Sequence, residues 1–275
     1  MWTLSGFADE ISAEPAEQFR TLADLGIRYV ELRSAWGTNV LDLDDEQLAR
    51  LGVLLRDYGL GVSAIGSPIG KIGVADDFGP HLLAFERCLS VAARFEARLI
   101  RLFSFFVPQA DSADVHRAEV MRRMTELADR AVGHDVVLAH ENEKGIYGDT
   151  PARCLDIITT VASPQLRVAW DAANFVQCGV RPFTNGYAML RPHLAYVQIK
   201  DAIAATGEVV KAGDGDGELA ETVAALRDDG FDGFFSMEPH LIDAAGFGGF
   251  SGPELFVQAT RSFLTLLGEA NVRYR

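Results

Sequence analysis

Cysteine is scarce in this chain. Its 275 residues include only three cysteines, Cys88, Cys154 and Cys178, which are far apart in the sequence and form no Cys-X-X-Cys pair. An odd and sparse set of cysteines argues against a disulfide framework and favours a reducing compartment. We therefore expect an intracellular protein.

Long hydrophobic runs are also missing. No segment approaches the roughly 20 consecutive apolar residues that a membrane span needs. The N-terminal segment MWTLSGFADEIS has neither a charged beginning nor a sustained apolar stretch, so we do not expect it to be a signal peptide. These absences predict a cytoplasmic protein that does not interact with membranes.

Basic residues are outnumbered by acidic ones. The chain has 39 Asp and Glu against 25 Lys and Arg, which gives a net charge of −14, and it contains no run of Lys or Arg. A surface this acidic repels phosphate backbones, so nucleic acid is not expected as a partner.

Apolar residues are abundant and are arranged in short runs. The chain is 48% hydrophobic, which is ample for a large core. Eight runs rich in Val, Ile, Leu and Phe alternate with longer amphipathic stretches, as buried parallel strands do. The predicted strands are Thr3–Ala8, Arg28–Arg33, Gly61–Ser67, Leu99–Phe103, Val136–Glu141, Arg167–Asp171, Ala195–Asp201 and Gly233–Glu238.

Helical patterns fill the intervals between these strands. In the last interval, Phe256, Ala259, Phe263 and Leu267 recur at three or four residues and form one apolar face, with Pro253 at a suitable helix start. Alternation of strand and helix requires a parallel sheet. Eight such units at a spacing of roughly 30 residues predict a closed (β/α)8 TIM barrel.

One domain is expected to span residues 1–275. No linker, low-complexity run or shift in composition indicates a second domain. The rival architecture is an open, doubly wound sheet, which usually has a glycine-rich phosphate loop after its first strand. The segment GFADEIS is not such a loop.

Polar side chains recur at the carboxyl ends of the predicted strands, where a (β/α)8 barrel carries its chemistry. They are Glu31, Arg33, Arg101, Glu141, Asp171, Gln198, Lys200 and Glu238. Carboxylates at one rim repel each other unless a cation lies between them. The sequence therefore predicts a divalent metal site, for which oxygen ligands suit Mg²⁺ or Mn²⁺ and a nitrogen ligand would favour Zn²⁺ or Co²⁺.

The alternation of side chains along a strand indicates which of these residues face the barrel interior. Val197 and Ile199 are apolar and suit the side that faces the helices. Gln198 and Lys200 then point into the barrel, and the same argument turns Asp171 inward.

Several of these residues also have a structural interpretation. Asp171 and Asp201 could each cap the helix that follows, and Glu141 could be a solvated loop residue. The glycine-rich stretch 212–218 could bind phosphate or calcium, but its acidic residues would repel an anion and the full calcium-loop spacing is missing. We interpret it as a rim loop. His240, which follows Glu238 and Pro239, could touch a substrate.

Seven segments carry a family resemblance that extends over nearly the whole chain. They are SAIGSPIGKI, IRLFSFF, HENEKGIYGDTP, WDAANFVQCG, YVQIKDA, GDGDGEL and FFSMEPHL. They resemble the xylose-isomerase-like TIM-barrel superfamily of sugar isomerases and epimerases, which includes ketose 3-epimerases, inosose dehydratase and endonuclease IV. The resemblance implies an enzyme that acts on a small polyhydroxylated substrate.

The resemblance also implies a set of metal ligands, namely Glu, Asp, His and Glu at the ends of strands five to eight. This set falls on Glu141, Asp171, Gln198 and Glu238. Gln198 departs from the pattern, because the family usually has His there. Its side-chain oxygen could ligate a hard cation, or it could bind substrate while a water completes the coordination. One divalent ion is expected, with Mn²⁺, Mg²⁺ or Co²⁺ favoured over Zn²⁺.

Catalytic and substrate-binding roles follow from the same resemblance. Glu141 and Glu238 would take and return a proton beside a carbonyl that the metal polarises. The candidates for binding substrate oxygens are Lys71, Arg101, Lys200 and His240.

Three functions remain open from the sequence. A sugar or polyol isomerase or epimerase is expected first. An inosose-type dehydratase would begin with the same proton abstraction, and a non-catalytic sugar-binding barrel is the third alternative. DNA repair of the endonuclease IV kind is disfavoured by the net charge of −14, by a total of only six histidines and by Gln198. A homo-oligomer is left open.

Overall fold

Eight parallel strands form the centre of the molecule. The computed structural model describes residues 1–242 and 249–275. The strands are β1 (Thr3–Gly6), β2 (Tyr29–Leu32), β3 (Gly61–Gly66), β4 (Leu99–Leu102), β5 (Val137–Glu141), β6 (Leu166–Asp171), β7 (Leu194–Ile199) and β8 (Phe234–Met237). Each strand from β2 to β8 pairs with the next, and β8 pairs with β1. Because β1 and β2 also lie side by side, the barrel is nearly closed, and the predicted (β/α)8 fold is confirmed.

Helices cover the outside of this barrel. They are α1 (Pro15–Asp24), α2 (Asp45–Asp57), α3 (Phe78–Arg94), α4 (Ala113–Arg130), α5 (Pro151–Val161), α6 (Ala172–Gln177), α7 (Ala188–Leu190), α8 (Leu219–Asp228) and α9 (Gly252–Glu269). The face of α9 predicted from Phe256, Ala259, Phe263 and Leu267 is buried, and Pro253 lies in its first turn. Within the described ranges, no helix has both the length and the apolar character needed to cross a membrane.

The core has two layers, as the alternation along the strands predicts. Val197 and Ile199 lie in the large cluster between the sheet and the helices. A smaller cluster inside the barrel contains Ala139, Ala169 and Tyr196. Because Tyr196 faces inward, every second residue after it shares that direction. The inward orientation predicted for this face of β7 is therefore confirmed.

Six strands end one or two residues earlier than predicted, and the ends of β7 and β8 lie next to the pocket described below. The last residue of β7 is Ile199 and the last residue of β8 is Met237. The backbone N–H of Glu238 still donates to the Ile199 carbonyl at 3.1 Å, so Glu238 stays tied to the rim of the barrel. Beyond Ile199, residues Asp201–Ala202 leave the barrel and pair with Val209–Val210 in a small antiparallel sheet.

Candidate active site

A pocket opens at the carboxyl ends of the barrel strands. Its volume is about 990 Å³, and the residues that line it include Arg33, Arg101, Glu141, Lys200 and Glu238. These residues follow or end five different strands, β2, β4, β5, β7 and β8. A pocket of this size can enclose a small molecule.

Three buried carboxylates meet at this end of the barrel. Glu141 ends β5, Asp171 ends β6, and Glu238 follows β8. Their exposed fractions are 1%, 0% and 2%, and one oxygen of each lies within 4.8 Å of the others. Like charges this close require a cation or a bound proton. The structure therefore brings together the three carboxylates that the sequence predicts as metal ligands.

Lys200 supplies positive charge to two of these carboxylates. Its Nζ lies 2.8 Å from Asp171 Oδ2 and 3.3 Å from Glu238 Oε2, and its side chain is 6% exposed. Lys200 thus bridges the carboxylates of Asp171 and Glu238.

Two arginines complete the charge balance. Arg101 donates from Nη1 to Glu141 Oε2 at 2.9 Å, and Arg33 donates from Nη1 to Glu238 Oε1 at 3.1 Å. Arg33 is itself held by a two-point ion pair with Asp9, in which Nε and Nη2 donate to the two carboxylate oxygens at 2.7 and 3.1 Å. Such two-point pairs fix the direction of the guanidinium group.

The three carboxyl groups differ in their affinity for a proton. Burial raises the pKa of Glu141 against the opposing effect of Arg101. Burial also raises the pKa of Asp171 to about 7, although Lys200 opposes it. Burial acts in the same direction on Glu238, but Lys200 and other cations outweigh it and hold the pKa of Glu238 below its ordinary value. Glu238 is therefore the carboxyl group that the protein most strongly keeps ionised.

Two asparagines that the sequence analysis missed hold the carboxylates in place. Asn174 donates from Nδ2 to Glu141 Oε1 at 3.0 Å, and its backbone N–H donates to Asp171 Oδ1 at 2.8 Å. Asn142 exchanges two hydrogen bonds with the backbone of Asp171, at 2.9 and 3.0 Å. Asp171 is thus the N-cap of α6, as its structural interpretation predicts, while its Oδ2 faces Lys200.

Gln198 lies in the same layer of the barrel as Asp171. The two residues are paired in the register of β6 and β7, and Gln198 is completely buried. Its Nε2 lies 3.5 Å from Glu31 Oε1, and its Oε1 has no hydrogen-bond partner among the described residues. A buried amide oxygen without a donor needs an explanation. The three carboxylates form an oxygen donor set that fits a divalent cation, and an amide oxygen is chemically suited to join such a set.

The predicted substrate-binding residues all reach the pocket. Lys71, Arg101, Lys200 and His240 are among the residues that line it. Lys71 lies in the loop after β3, with Nζ 4.2 Å from the centre of the Phe103 ring. Its only ion pair among the described residues is a 3.4 Å contact with Glu143, and a quarter of its side chain is exposed. Lys71 is thus the least constrained of the four side chains.

The glycine-rich loop surrounds a carboxylate of the protein itself. Asp201 Oδ2 accepts hydrogen bonds from Gly213 N and Gly215 N at 3.0 and 3.1 Å, and Oδ1 accepts from Gly217 N and Ala202 N at 2.8 and 2.9 Å. These backbone groups are therefore occupied by a carboxylate, where a phosphate cradle would leave them free. The helix-capping interpretation of Asp201 is wrong, because its four donors belong to this loop and its own neighbour.

Glu10 and Arg33 are two further residues of the site to which the sequence assigned no role. Arg33 has the strand-end position at which the sequence predicts polar side chains, but its pairing with Glu238 depends on closure of the barrel. Glu10 follows β1 and has no such position in a strand. Its burial and its contacts with the last loop become visible only in the folded chain.

The fold and the pocket define the class: a (β/α)8 barrel with a polar site at the carboxyl ends of its strands. A family model described as xylose isomerase-like TIM barrel matches residues 19–262. The chain belongs to this family, which confirms the resemblance seen in the sequence.

One curated relative and two solved structures show the range of similar proteins. The 3-dehydroshikimate dehydratase of Bacillus anthracis is 24% identical over 179 residues, which cover 64% of this chain and 62% of that relative. A D-tagatose 3-epimerase-like protein matches with a TM-score of 0.79 at 16% identity, covering 98% of each chain. The IolI protein, solved with a bound zinc atom, matches with a TM-score of 0.78 at 16% identity, covering 98% of this chain and 99% of the other.

Proposed function

We propose that this protein is a metal-dependent enzyme that removes a proton beside the carbonyl group of a small, sugar-like polyol, and that it is an isomerase or epimerase. The proposal rests on the three buried carboxylates of Glu141, Asp171 and Glu238. One oxygen of each lies within 4.8 Å of the others at the carboxyl ends of the strands. Burial of three carboxylates is costly for folding, so a functional role is favoured. Similarity to a D-tagatose 3-epimerase-like protein supports the substrate class.

Glu141, Asp171, Gln198 and Glu238 would hold one divalent cation. Their oxygen donors favour Mg²⁺, Mn²⁺ or Co²⁺, with Zn²⁺ as the alternative, and the zinc in the IolI structure supports a metal in this fold. When bound, the ion would act as a Lewis acid that polarises the carbonyl and acidifies the neighbouring C–H bond.

Glu141 and Glu238 would carry the proton. Arg101 and Asn174 hold the two oxygens of Glu141, while Arg33 and Lys200 hold those of Glu238. The two glutamates come from β5 and β8 and reach the substrate from different sides. One carboxylate would take the proton from one face of the carbon, and the other would return a proton to the opposite face.

Lys71, Arg101, Lys200 and His240 would bind the oxygens of the substrate. The side chain of Lys71 is the one most able to move towards a ligand, since its contact with Glu143 is partly exposed. The pocket of about 990 Å³ is large enough for a sugar and several waters.

A dehydratase is the second candidate, and the relationship to 3-dehydroshikimate dehydratase favours it. The same removal of a proton next to a carbonyl can be followed by loss of the hydroxyl group one carbon further on. The proton and the hydroxide together leave as water, and a double bond remains. The donors around the pocket could protonate that leaving hydroxyl.

NMR in D2O separates these reactions. The purified protein with Mg²⁺ would be incubated with a panel of ketoses, inososes and 3-dehydroshikimate. An isomerase or epimerase would place deuterium on the carbon beside the carbonyl and form a second sugar, whereas a dehydratase would produce a signal from a new double bond. Binding of sugars without exchange or loss of water would contradict an enzyme and support a sugar-binding barrel.

We also propose that residues 1–275 form one domain that acts in the cytoplasm. The three cysteines Cys88, Cys154 and Cys178 are all free thiols, which supports a reducing compartment.

A further inference from the structure

The loop after β8 contributes one wall of the pocket. His240, Leu241, Ile242 and Gly249 are among the residues that line it. His240 has a φ of +47°, in the left-handed region that a residue with a Cβ adopts rarely. Such a conformation persists only when the surrounding structure imposes it.

Glu10 is the residue that holds this loop. It belongs to a short 3-10 helix, Ala8–Glu10, and is completely buried. Its Oε2 accepts hydrogen bonds from His240 N at 2.8 Å and from Ser251 Oγ at 2.9 Å. Ser251 Oγ in turn accepts from Leu241 N at 3.1 Å, and Ser251 N donates to the Glu10 carbonyl at 3.0 Å. One carboxylate thus joins the beginning of the loop to its end.

The imidazole ring of His240 has a defined orientation. Its Nδ1 lies 3.3 Å from the Glu238 carbonyl oxygen and 3.5 Å from Glu10 Oε1. The Nδ1 edge of the ring is therefore turned towards the Glu238 carbonyl and Glu10. Nε2 lies 3.9 Å from Glu238 Oε1, beside the proposed base.

Gly249 packs directly against the ring. A Cβ at position 249 would lie 1.2 Å from His240 Cδ2, so any side chain there would displace the imidazole. The ring is therefore confined by Gly249 from the side and contacts the Glu238 carbonyl through Nδ1, while Glu10 holds the backbone N–H of His240.

We propose that Glu10 is a positioning residue that fixes the direction of the His240 ring, so that His240 Nε2 forms a hydrogen bond with a substrate hydroxyl beside Glu238. The identity of the ligand rests on the proposed function. The orientation of His240 does not, because it follows from contacts within the chain itself. Glu10 acts at a distance from substrate, and His240 is the group that makes the contact.

Nitrogen NMR of histidine-labelled protein tests the orientation without any substrate. The chain has six histidines, so His240 can be assigned by comparison with His240→Gln. We expect the parent to give one well-defined set of His240 signals. In Glu10→Gln an amide replaces the carboxyl group that accepts from His240 N and Ser251 Oγ, so the ring should lose its fixed direction and the His240 signals should shift. Unchanged His240 signals in a folded Glu10→Gln protein would overturn the proposal.

Two further variants keep the test decisive. If Glu10→Gln does not fold, Gly249→Ala should displace the ring and shift the same signals, and Ser251→Ala should shift them to a smaller extent. Glu14→Gln is the matched control, because it makes the same change at an exposed position four residues away. It should leave the His240 signals where they are.

A double-mutant cycle tests the effect on substrate. Glu10→Gln and His240→Gln should each raise KM about tenfold with little change in kcat, the loss expected for one hydrogen bond. The double variant should be no worse than His240→Gln alone, because Glu10 acts only through His240. Additive losses would overturn the proposal. If the NMR result holds but the parent turns over no substrate, the proposed function fails and the role of Glu10 in orienting His240 stands.

Discussion

Gln198 occupies the position at which the family resemblance implies a histidine. It is completely buried, its Nε2 approaches Glu31, and its Oε1 has no hydrogen-bond donor among the described residues. An amide oxygen is a harder donor than an imidazole nitrogen. The proposed ligands Glu141, Asp171, Gln198 and Glu238 would therefore offer oxygens alone, which would favour Mg²⁺ or Mn²⁺.

Replacing Gln198 with His should be tolerated and should raise the affinity for Zn²⁺ and Co²⁺, because imidazole is the softer donor. Gln198→Met is the matched control, since it keeps the length of the side chain and removes the oxygen; it should lower the affinity for every divalent ion. Calorimetric titration of each ion measures the effect. An unchanged preference among metals in Gln198→His would contradict the assignment of Gln198 as a ligand.

Substitution should distinguish a catalytic role of Glu141 and Glu238 from a purely structural one. Glu141→Gln or Glu238→Gln keeps the size of the side chain and one oxygen but removes the basic group. We expect metal affinity to fall moderately and the chemical step to slow by a factor on the order of 10² to 10⁴. The measurement is deuterium exchange into the substrate, with metal content determined in parallel.

Glu143→Gln is the control for this pair. Glu143 also lines the pocket, but it pairs only with Lys71 among the described residues and is not a proposed base. It should change KM more than the exchange rate. If Glu141→Gln or Glu238→Gln keeps its metal and exchanges deuterium at the parent rate, that glutamate is not the catalytic base.

At the scale of elements, the glycine-rich loop after β7 is organised by Asp201. A Cβ on Gly215 or Gly217 would lie 2.5 or 2.6 Å from Asp201 Oδ1, so only glycine allows this close approach. The Asp201 carboxylate in turn fixes the backbone beside Lys200. None of residues 212–218 is among the residues that line the pocket, so we expect the loop to act on the site through Asp201 and its neighbour Lys200.

Asp201→Asn should destabilise the protein by about 1–3 kcal/mol, because an amide NH2 would replace an acceptor that faces backbone N–H groups. Asp214→Asn is the control in the same loop, since Asp214 is exposed and makes only a 3.4 Å ion pair with Lys211. Urea unfolding measures both. Equal stability of the two variants would show that the four hydrogen bonds to Asp201 contribute little.

The loop after β3 depends on a neutral histidine. His81 Nε2 accepts a hydrogen bond from Gly70 N at 2.7 Å, next to Lys71. Burial, helped by Arg123, lowers the pKa of His81 to about 4 from an ordinary value of 6.5. Between these two values the unfolded chain binds a proton that the folded chain does not. This contribution to stability is therefore complete above about pH 6.5 and is lost as the pH falls towards 4.

Acid titration of stability tests this dependence. In His81→Gln the free energy of unfolding should fall less steeply between pH 6.5 and 4 than in the parent, because the group that titrates is gone. His134→Gln is the control, since His134 is exposed. The free energy of unfolding of His134→Gln should depend on pH as steeply as that of the parent. If His81→Gln also shows the steepness of the parent, His81 is not the group that titrates.

At the scale of the whole molecule, the fold could be predicted because its pattern is local. Val197 and Ile199 reveal the phase of β7 on their own, and that phase turns Gln198 inward. The contacts of the site are not local. Glu10 reaches Ser251 across 241 positions, and Arg33 reaches Glu238 across 205. Such pairs form only when the barrel closes and brings the first and last strands together, so no local pattern predicts them.

The positions of the three proposed ligands were more predictable than those of the residues that hold them. Glu141, Asp171 and Glu238 lie at strand ends, where the architecture concentrates function. Asn142 and Asn174 follow strands β5 and β6, where no alternation of side chains shows which way they point. From the sequence alone, their amides could equally face solvent. The ion pairs of the site could not be predicted either. The pairing of Lys200 with Asp171, for example, depends on the register of β6 and β7.

Removal of the metal tests the central claim most directly. After exhaustive chelation, turnover and deuterium exchange should be abolished, and Mn²⁺, Mg²⁺ or Co²⁺ should restore both. The fold should survive, because Lys200, Arg33 and Arg101 already neutralise the buried carboxylates. Full activity in protein that contains no detectable metal would contradict the account.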